Sequence, residues 1–128
     1  MTKRSTITSG ARWEDIVGYS RATKIGNTIE ISGTVSIEDG QPVAKNDAYG
    51  QTKRILEIIG ETLDKAGGGI QDVIRTRIYV TDISKWEEVG KAHGEIFGKI
   101  KPATSMVEVS RLISPEFLVE IEATAILP

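Results

Sequence analysis

The sequence predicts an α+β domain, because apolar residues recur with a period of two in five stretches and with a helical period in two others, and Gly, Asn or Pro marks the joints. Residues Tyr19 to Ile25 and Thr28 to Ile37 read as strands joined at Gly26-Asn27, since both joint residues tolerate positive φ. In the second strand Ile29, Ile31, Val35 and Ile37 share one face, and Thr28, Glu30, Ser32, Thr34 and Ser36 share the other. Asp39-Gly40 supplies a further turn. From Asp47, a fitting N-cap, the positions Ala48, Thr52, Ile55, Leu56, Ile59, Leu63 and Ala66 form the stripe of the longest helix, which Gly67-Gly68-Gly69 terminates. Val73 to Val80 then alternates Ile74, Thr76, Ile78 and Val80 against Arg75, Arg77 and Tyr79.

Ser84-Lys85-Trp86-Glu87 has the capping-box pattern and opens a second helix with Trp86, Val89, Ile96, Phe97 and Ile100 inward. Gly90, Gly94 and Gly98 lie four apart on it and imply a close approach, most simply tight packing on the sheet. Lys101-Pro102 ends that helix. Two last strands, bounded by Pro102 and Pro115, place Glu108 and Glu120 inside apolar runs. A carboxylate there either faces water or belongs to a site that pairs with it.

The order strand, strand, helix, strand, helix, strand, strand describes a mixed sheet with both helices on one face. The other face then carries Glu30, Ser32, Arg75, Arg77, Tyr79, Glu120 and Glu122. Opposite charges that complement one another across strands favour association of this face with copies of itself, giving a symmetric homo-oligomer with ligand clefts between subunits.

Residues 1–128 fit one domain, with no linker-like shift in composition. No apolar run approaches the roughly 18 residues of a membrane span, and Met-Thr-Lys-Arg-Ser-Thr lacks the apolar region of a secretory signal, so a cytoplasmic protein without a membrane partner is expected. The absence of cysteine and the single histidine, His93, argue against a thiol nucleophile or a metal site. Basic and acidic residues, 16 and 18, are interspersed, and aromatics make up only 5%, which disfavours a nucleic-acid partner.

Tyr19-Ser20-Arg21-Ala22, Ile31-Ser32-Gly33-Thr34, Ile78-Tyr79-Val80-Thr81-Asp82, Pro102-Ala103 with Val107-Glu108-Val109, and Val119-Glu120-Ile121-Glu122-Ala123 together resemble the Rid/YjgF family, the reactive intermediate deaminases once labelled endoribonuclease L-PSP. The resemblance covers the chain after Arg12. It implies a chorismate-mutase-like α+β fold and a homotrimer whose sheets form a central barrel with three intersubunit clefts. Active members hydrolyse short-lived enamines and imines to 2-oxo acids and ammonia without a cofactor. By motif position the family tyrosine falls on Tyr19, the strand serine on Ser32, and the carboxylate that positions the attacking water on Glu120. A carboxylate suits that task when burial raises its pKa towards neutrality.

The deaminases also carry an arginine directly after Pro-Ala, whose planar fork grips the substrate carboxylate. Here that position is Thr104, the helix position that is often asparagine is Gly90, and two residues beyond Thr104 stands Met106. The cleft this implies is roomier and less cationic. Arg21, two residues beyond Tyr19, is the first candidate to replace the arginine, or else forms a surface or interface ion pair. Arg111, Arg75 and Arg77 read more simply as barrel or interface partners of Glu120, Glu122 and Glu30. Trp13-Glu14 either walls the cleft or anchors an N-terminal arm, and His93 either shuttles protons or packs. The functions that follow are a small-molecule deaminase of altered specificity, with Glu120 catalytic and Tyr19, Arg21, Ser32, Gly90, Thr104 and Met106 binding substrate; a non-catalytic metabolite-binding trimer; and, last, a ribonuclease.

Overall fold

The computed structural model describes residues 3–128; the first two residues of the N-terminal segment read above lie outside the described residues. The chain runs β1 (Arg4–Ile7), α1 (Arg12–Val17), β2 (Ala22–Ile25), β3 (Thr28–Thr34), β4 (Ile37–Glu38), β5 (Gln41–Pro42), α2 (Ala48–Lys65), β6 (Val73–Val80), α3 (Trp86–Phe97), β7 (Ala103–Glu108) and β8 (Val119–Ile126). Six strands form one mixed sheet in the order β1-β2-β3-β8-β6-β7, in which only β6 and β7 pair in parallel. Helix α3 supplies the crossover that parallel neighbours require. The small β4–β5 ribbon stands apart from the sheet.

The core lies between the sheet and helices α2 and α3. Ile55, Leu56, Ile59 and Leu63 of α2 and Val89 and Phe97 of α3 pack on Ile29 and Ile31 of β3, Ile78 and Val80 of β6, and Val119 and Ile121 of β8. Asp47 caps α2 by accepting the Gly50 amide at 2.9 Å, and Gly67 follows the helix at φ 89°, a left-handed conformation that glycine adopts without strain. Gln51, fully buried near the start of α2, accepts the Leu118 amide at 2.8 Å and donates to the Glu116 carbonyl at 2.9 Å. That amide side chain holds the loop entering β8 against the helix.

Several local expectations are corrected. The strand expected from Tyr19 begins at Ala22, so Tyr19 and Arg21 sit in the approach to it. The strand expected to reach Ile37 breaks at a register shift between Ile31 and Thr34, after which Thr34 and Ser36 turn inward in place of Val35 and Ile37. A similar shift between Val73 and Arg75 leaves Ile74 48% exposed and buries Val73. The capping box at Ser84 does not form. Asp82 instead caps a 3₁₀ turn, Ile83–Lys85, by accepting from the Ser84 amide and hydroxyl, and α3 starts only at Trp86. Trp86 is therefore 55% exposed, and Ile96 is exposed as well. Among the described residues the sheet does not press on the glycine stripe: a Cβ on Gly94 would meet open space, one on Gly90 only the Trp86 ring at 3.9 Å, and one on Gly98 the Gly94 carbonyl oxygen of the same helix at 2.7 Å.

The uncovered face carries the expected residues, but within the chain they pair through hydroxyls. Tyr79 donates to Glu122 at 2.7 Å, Thr124 to Glu30 at 2.5 Å, and Arg75 to the Ser105 hydroxyl at 2.8 Å. Among the described residues Arg75, Arg77 and Arg111 form no ion pair with these glutamates. The N-terminal strand and α1 carry no clear periodic signal, since Arg4, Ser5 and Thr6 of the edge strand are all exposed. No helix of the described residues is long and apolar enough to cross a membrane.

Replacing Gln51 by Leu leaves the Leu118 amide and the Glu116 carbonyl without their partner, so we expect Gln51→Leu to lower unfolding free energy by about 2–4 kcal/mol in urea titrations. A loss below about 0.5 kcal/mol contradicts the bracing role.

Candidate functional site

The bulge in β3 is built around Arg21. Its Nη2 donates to the carbonyls of Ser32 at 2.7 Å and Gly33 at 2.8 Å and to the Thr34 hydroxyl at 3.0 Å. The Ser32 amide returns a bond to the Arg21 carbonyl at 3.0 Å, and the Ser32 hydroxyl donates to the Ser20 carbonyl at 2.7 Å. Carbonyls that a bulge removes from the ladder need another donor, and a guanidinium is a strong one. Burial pushes the Arg21 pKa down, against the attraction of Tyr19, Glu14 and Glu120. Its Nε is buried without a partner among the described residues.

Gly33 occupies the bulge because the Glu120 carboxylate lies against it. A Cβ at Gly33 would overlap Glu120 Oε2 and sit 2.9 Å from the carboxyl carbon. Glu120 is half-buried, projecting from β8 on the face away from α2 and α3. Burial raises its pKa most, Glu122 raises it further, and the Arg21 guanidinium opposes both. This is the environment of a carboxylate that takes up a proton more readily than an exposed one.

These residues line a cavity of about 990 Å³ together with the N-terminal segment and α1. Trp13, Tyr19, Arg21, Ser32, Gly33 and Glu120 are on its wall, so Trp13 does face the cleft. Glu14, buried in α1, accepts the Ser9 amide at 3.1 Å and the Ser9 hydroxyl, tying the N-terminal segment over the cavity. Sequence reasoning named Gly33 only within the Ile31–Thr34 motif and Glu14 only beside Trp13, and gave neither a role of its own. An isolated glycine within a strand pattern is a usable bulge signal, whereas nothing in the spacing marks Glu14 as buried.

Gly90, Thr104 and Met106 do not line this cavity. Thr104 and Met106 lie on the edge strand β7, in register with Thr76 and Ile78 and on the helix side of the sheet, and Gly90 lies on α3. The Thr104 hydroxyl is 2.7 Å from that of Thr76, which is 2.9 Å from His93 Nε2. Thr104 also donates to the Pro102 carbonyl at 3.2 Å. His93 stacks at 4.7 Å on Phe97, and burial lowers its pKa. Within one chain the expected site is thus divided, with Tyr19, Arg21, Ser32 and Glu120 together and the other three residues elsewhere.

Residues 9–127 match the family model described as Endoribonuclease L-PSP. A RutC family protein of Pyrococcus abyssi is 39% identical over 109 residues, covering 84% of each chain. The 3-aminoacrylate deaminase RutC of Acinetobacter baylyi is 32% identical over 108 residues, covering 84% of this chain and 85% of that one. A crystal structure of a Mycobacterium tuberculosis member of the YjgF/YER057c/UK114 family superposes with a TM-score of 0.89 at 49% identity, covering 98% of this chain and 100% of that one. The chain belongs to the Rid/YjgF family, whose family model carries the endoribonuclease L-PSP description.

Two predictions follow from the packing of Glu120. Because the Gly33 neighbour is the mobile end of a side chain, Gly33→Ala should fold with a melting temperature near wild type while displacing the carboxylate, so its titration, followed by carboxyl NMR, should move towards the value of an exposed glutamate. An unmoved titration contradicts the contact. A raised folded-state pKa means the native state holds its proton more tightly than the unfolded chain, so stability declines as pH rises from the unfolded value of about 4.5 through the folded one, and the loss persists above it. Glu120→Gln should remove that decline, visible as a flatter stability profile on the alkaline side of the transition.

Proposed function

We propose that the chain is a cytoplasmic hydrolase of the enamine and imine deaminase type, working as a homotrimer in which edge strand β7 and α3 of one protomer close the Glu120 cavity of the next. The observation that carries this reading is the half-buried Glu120 carboxylate, pushed towards neutrality and facing a cavity with Tyr19. The deaminase RutC relative supports the reaction class. The uncovered polar face and the single-neighbour strand β7 support the assembly, because both leave groups that a second copy can satisfy.

In the reaction, the enamine first tautomerises to the imine. Glu120 orients a water molecule and takes one of its protons as the oxygen bonds to the imine carbon, then returns that proton to the nitrogen to give the neutral carbinolamine. The carbinolamine then collapses: Glu120 takes the hydroxyl proton as the carbonyl forms and passes it to the nitrogen, the carbon–nitrogen bond breaks, and ammonia leaves with the carboxylate regenerated. Tyr19 borders the substrate. Arg21 acts chiefly as a positioning residue, since its Nη2 already serves three acceptors.

A second reading, a trimer that binds a metabolite without turnover, is favoured by one observation: Thr104 offers a neutral hydroxyl where the deaminases carry an arginine. An RNA substrate is disfavoured, because the one histidine bonds Thr76 inside the sheet–helix interface and leaves no acid–base pair beside a cationic groove.

Ammonia release from 2-aminoacrylate generated in situ should fall about 100-fold or more in Glu120→Gln, and Thr104→Arg should raise turnover of this anionic substrate. Saturable binding with no turnover, equal in wild type and Glu120→Gln, favours the second reading and defeats the first.

A further inference from the structure

The His93–Thr76–Thr104 chain has a direction that proton counting assigns. Each threonine hydroxyl owns one hydrogen. Only the Thr104 hydrogen can make the 3.2 Å contact to the Pro102 carbonyl, and satisfying it leaves the 2.7 Å contact to the Thr76 hydrogen. Thr76 then has none left for His93, and the 2.9 Å contact must be donated by Nε2–H. All three bonds are satisfied together only in the order His93 to Thr76 to Thr104 to Pro102. At the exposed end, Thr104 holds a hydrogen on a long 3.2 Å bond to Pro102 and a lone pair that no neighbour among the described residues uses. The end of the chain thus presents a donor that can be redirected beside an acceptor, with no formal charge.

Resting on the deaminase reading and its intersubunit cleft, we infer that this relay is the substrate-recognition element of the protein and selects enamines and imines bearing an uncharged carboxamide rather than a carboxylate. The amide carbonyl takes the Thr104 hydrogen in place of Pro102, and an amide N–H donates to the free lone pair of the same oxygen. A carboxylate has no N–H to give, would set a second anionic oxygen against that lone pair, and finds no cation in the relay. Thr76 is fully buried and His93 packs on Phe97, so both are held where they orient the Thr104 hydroxyl. Burial keeps His93 neutral over a wider pH range than an exposed imidazole. His93 and Thr76 are positioning residues, and Thr104 alone meets the substrate.

The test compares 2-aminoacrylamide with 2-aminoacrylate, made in situ by loss of HCl from β-chloroalaninamide and β-chloroalanine, with ammonia as the readout. Wild type should favour the amide in kcat/KM. Thr76→Val, which keeps the buried volume and leaves Thr104 in place, should lower the amide value by roughly 3- to 10-fold, mostly through KM, with the acid value changed by less than about twofold. Thr104→Val should lower the amide value at least as far, and Thr104→Arg should reverse the preference. Preference for the acid in wild type, or a ratio that Thr76→Val leaves unchanged, overturns the inference. The relay also has a readout apart from turnover: ¹⁵N spectra should show His93 protonated on Nε2 in wild type and redistributed in Thr76→Val, and an Nδ1 proton in wild type overturns it. If neither enamine yields ammonia, the deaminase reading has failed; tighter calorimetric binding of 2-oxopropanamide than of 2-oxopropanoate, weakened in Thr76→Val, then supports the recognition element, and equal binding defeats it.

Discussion

The Arg21 guanidinium, bound to two main-chain carbonyls and one hydroxyl of β3, is the interaction on which the candidate site depends. Strict alternation from Ile29 and Ile31 would carry Val35 inward and send Thr34 out. The two-residue interruption at Ser32-Gly33 reverses that order, and its freed carbonyls need donors that the ladder no longer supplies. Arg21 supplies them from beside β2. The same interruption places a glycine where the Glu120 carboxylate comes closest, so one cation holds both the strand and the room for the acid.

Glu120 then sits in a balance of three effects. Burial and the neighbouring Glu122 favour the protonated form, and Arg21 favours the ionised form. Glu122 also accepts the Tyr79 hydroxyl, whose phenol pKa rises because its proton is engaged there. The outer face of the sheet is therefore a connected set of polar groups around the cavity mouth. Its hydroxyl-bonded carboxylates, beside arginines that form no ion pair among the described residues, differ from a simple ladder of ion pairs, and exposed pairs of that kind stabilise little in any case.

The chain divides the candidate site residues between two sides of one sheet. Glu120 and Tyr19 face the large cavity, while Thr104, Thr76 and His93 form a hydrogen-bonded line at the β7 edge. Strand β7 has a neighbour on one side only, and apolar side chains such as Ile16, Val17 and Ile113 are more than 60% exposed. Surfaces of this kind are the usual raw material of subunit contacts.

The α+β class, the span of α2 from its Asp47 cap to the glycine stop, the strand Val73–Val80 and the covered and uncovered faces of β8 were all legible in the sequence, because period and end signals are local properties. Tyr19, Ser32 and Glu120, chosen by motif resemblance, and Arg21, chosen by spacing, line one cavity. The role of Arg21 was not legible. Spacing placed it on the tyrosine's face, but only the folded chain shows its donors turned onto β3 carbonyls eleven and twelve residues away. The inward turn of Thr34 and Ser36, the outward turn of Trp86 and Ile74, the burial of Glu14 and the line from His93 to Thr104 were likewise decided by tertiary structure. Each depends on a bulge, a cap or a hydrogen bond to a group distant in sequence, and periodicity carries no information about such partners.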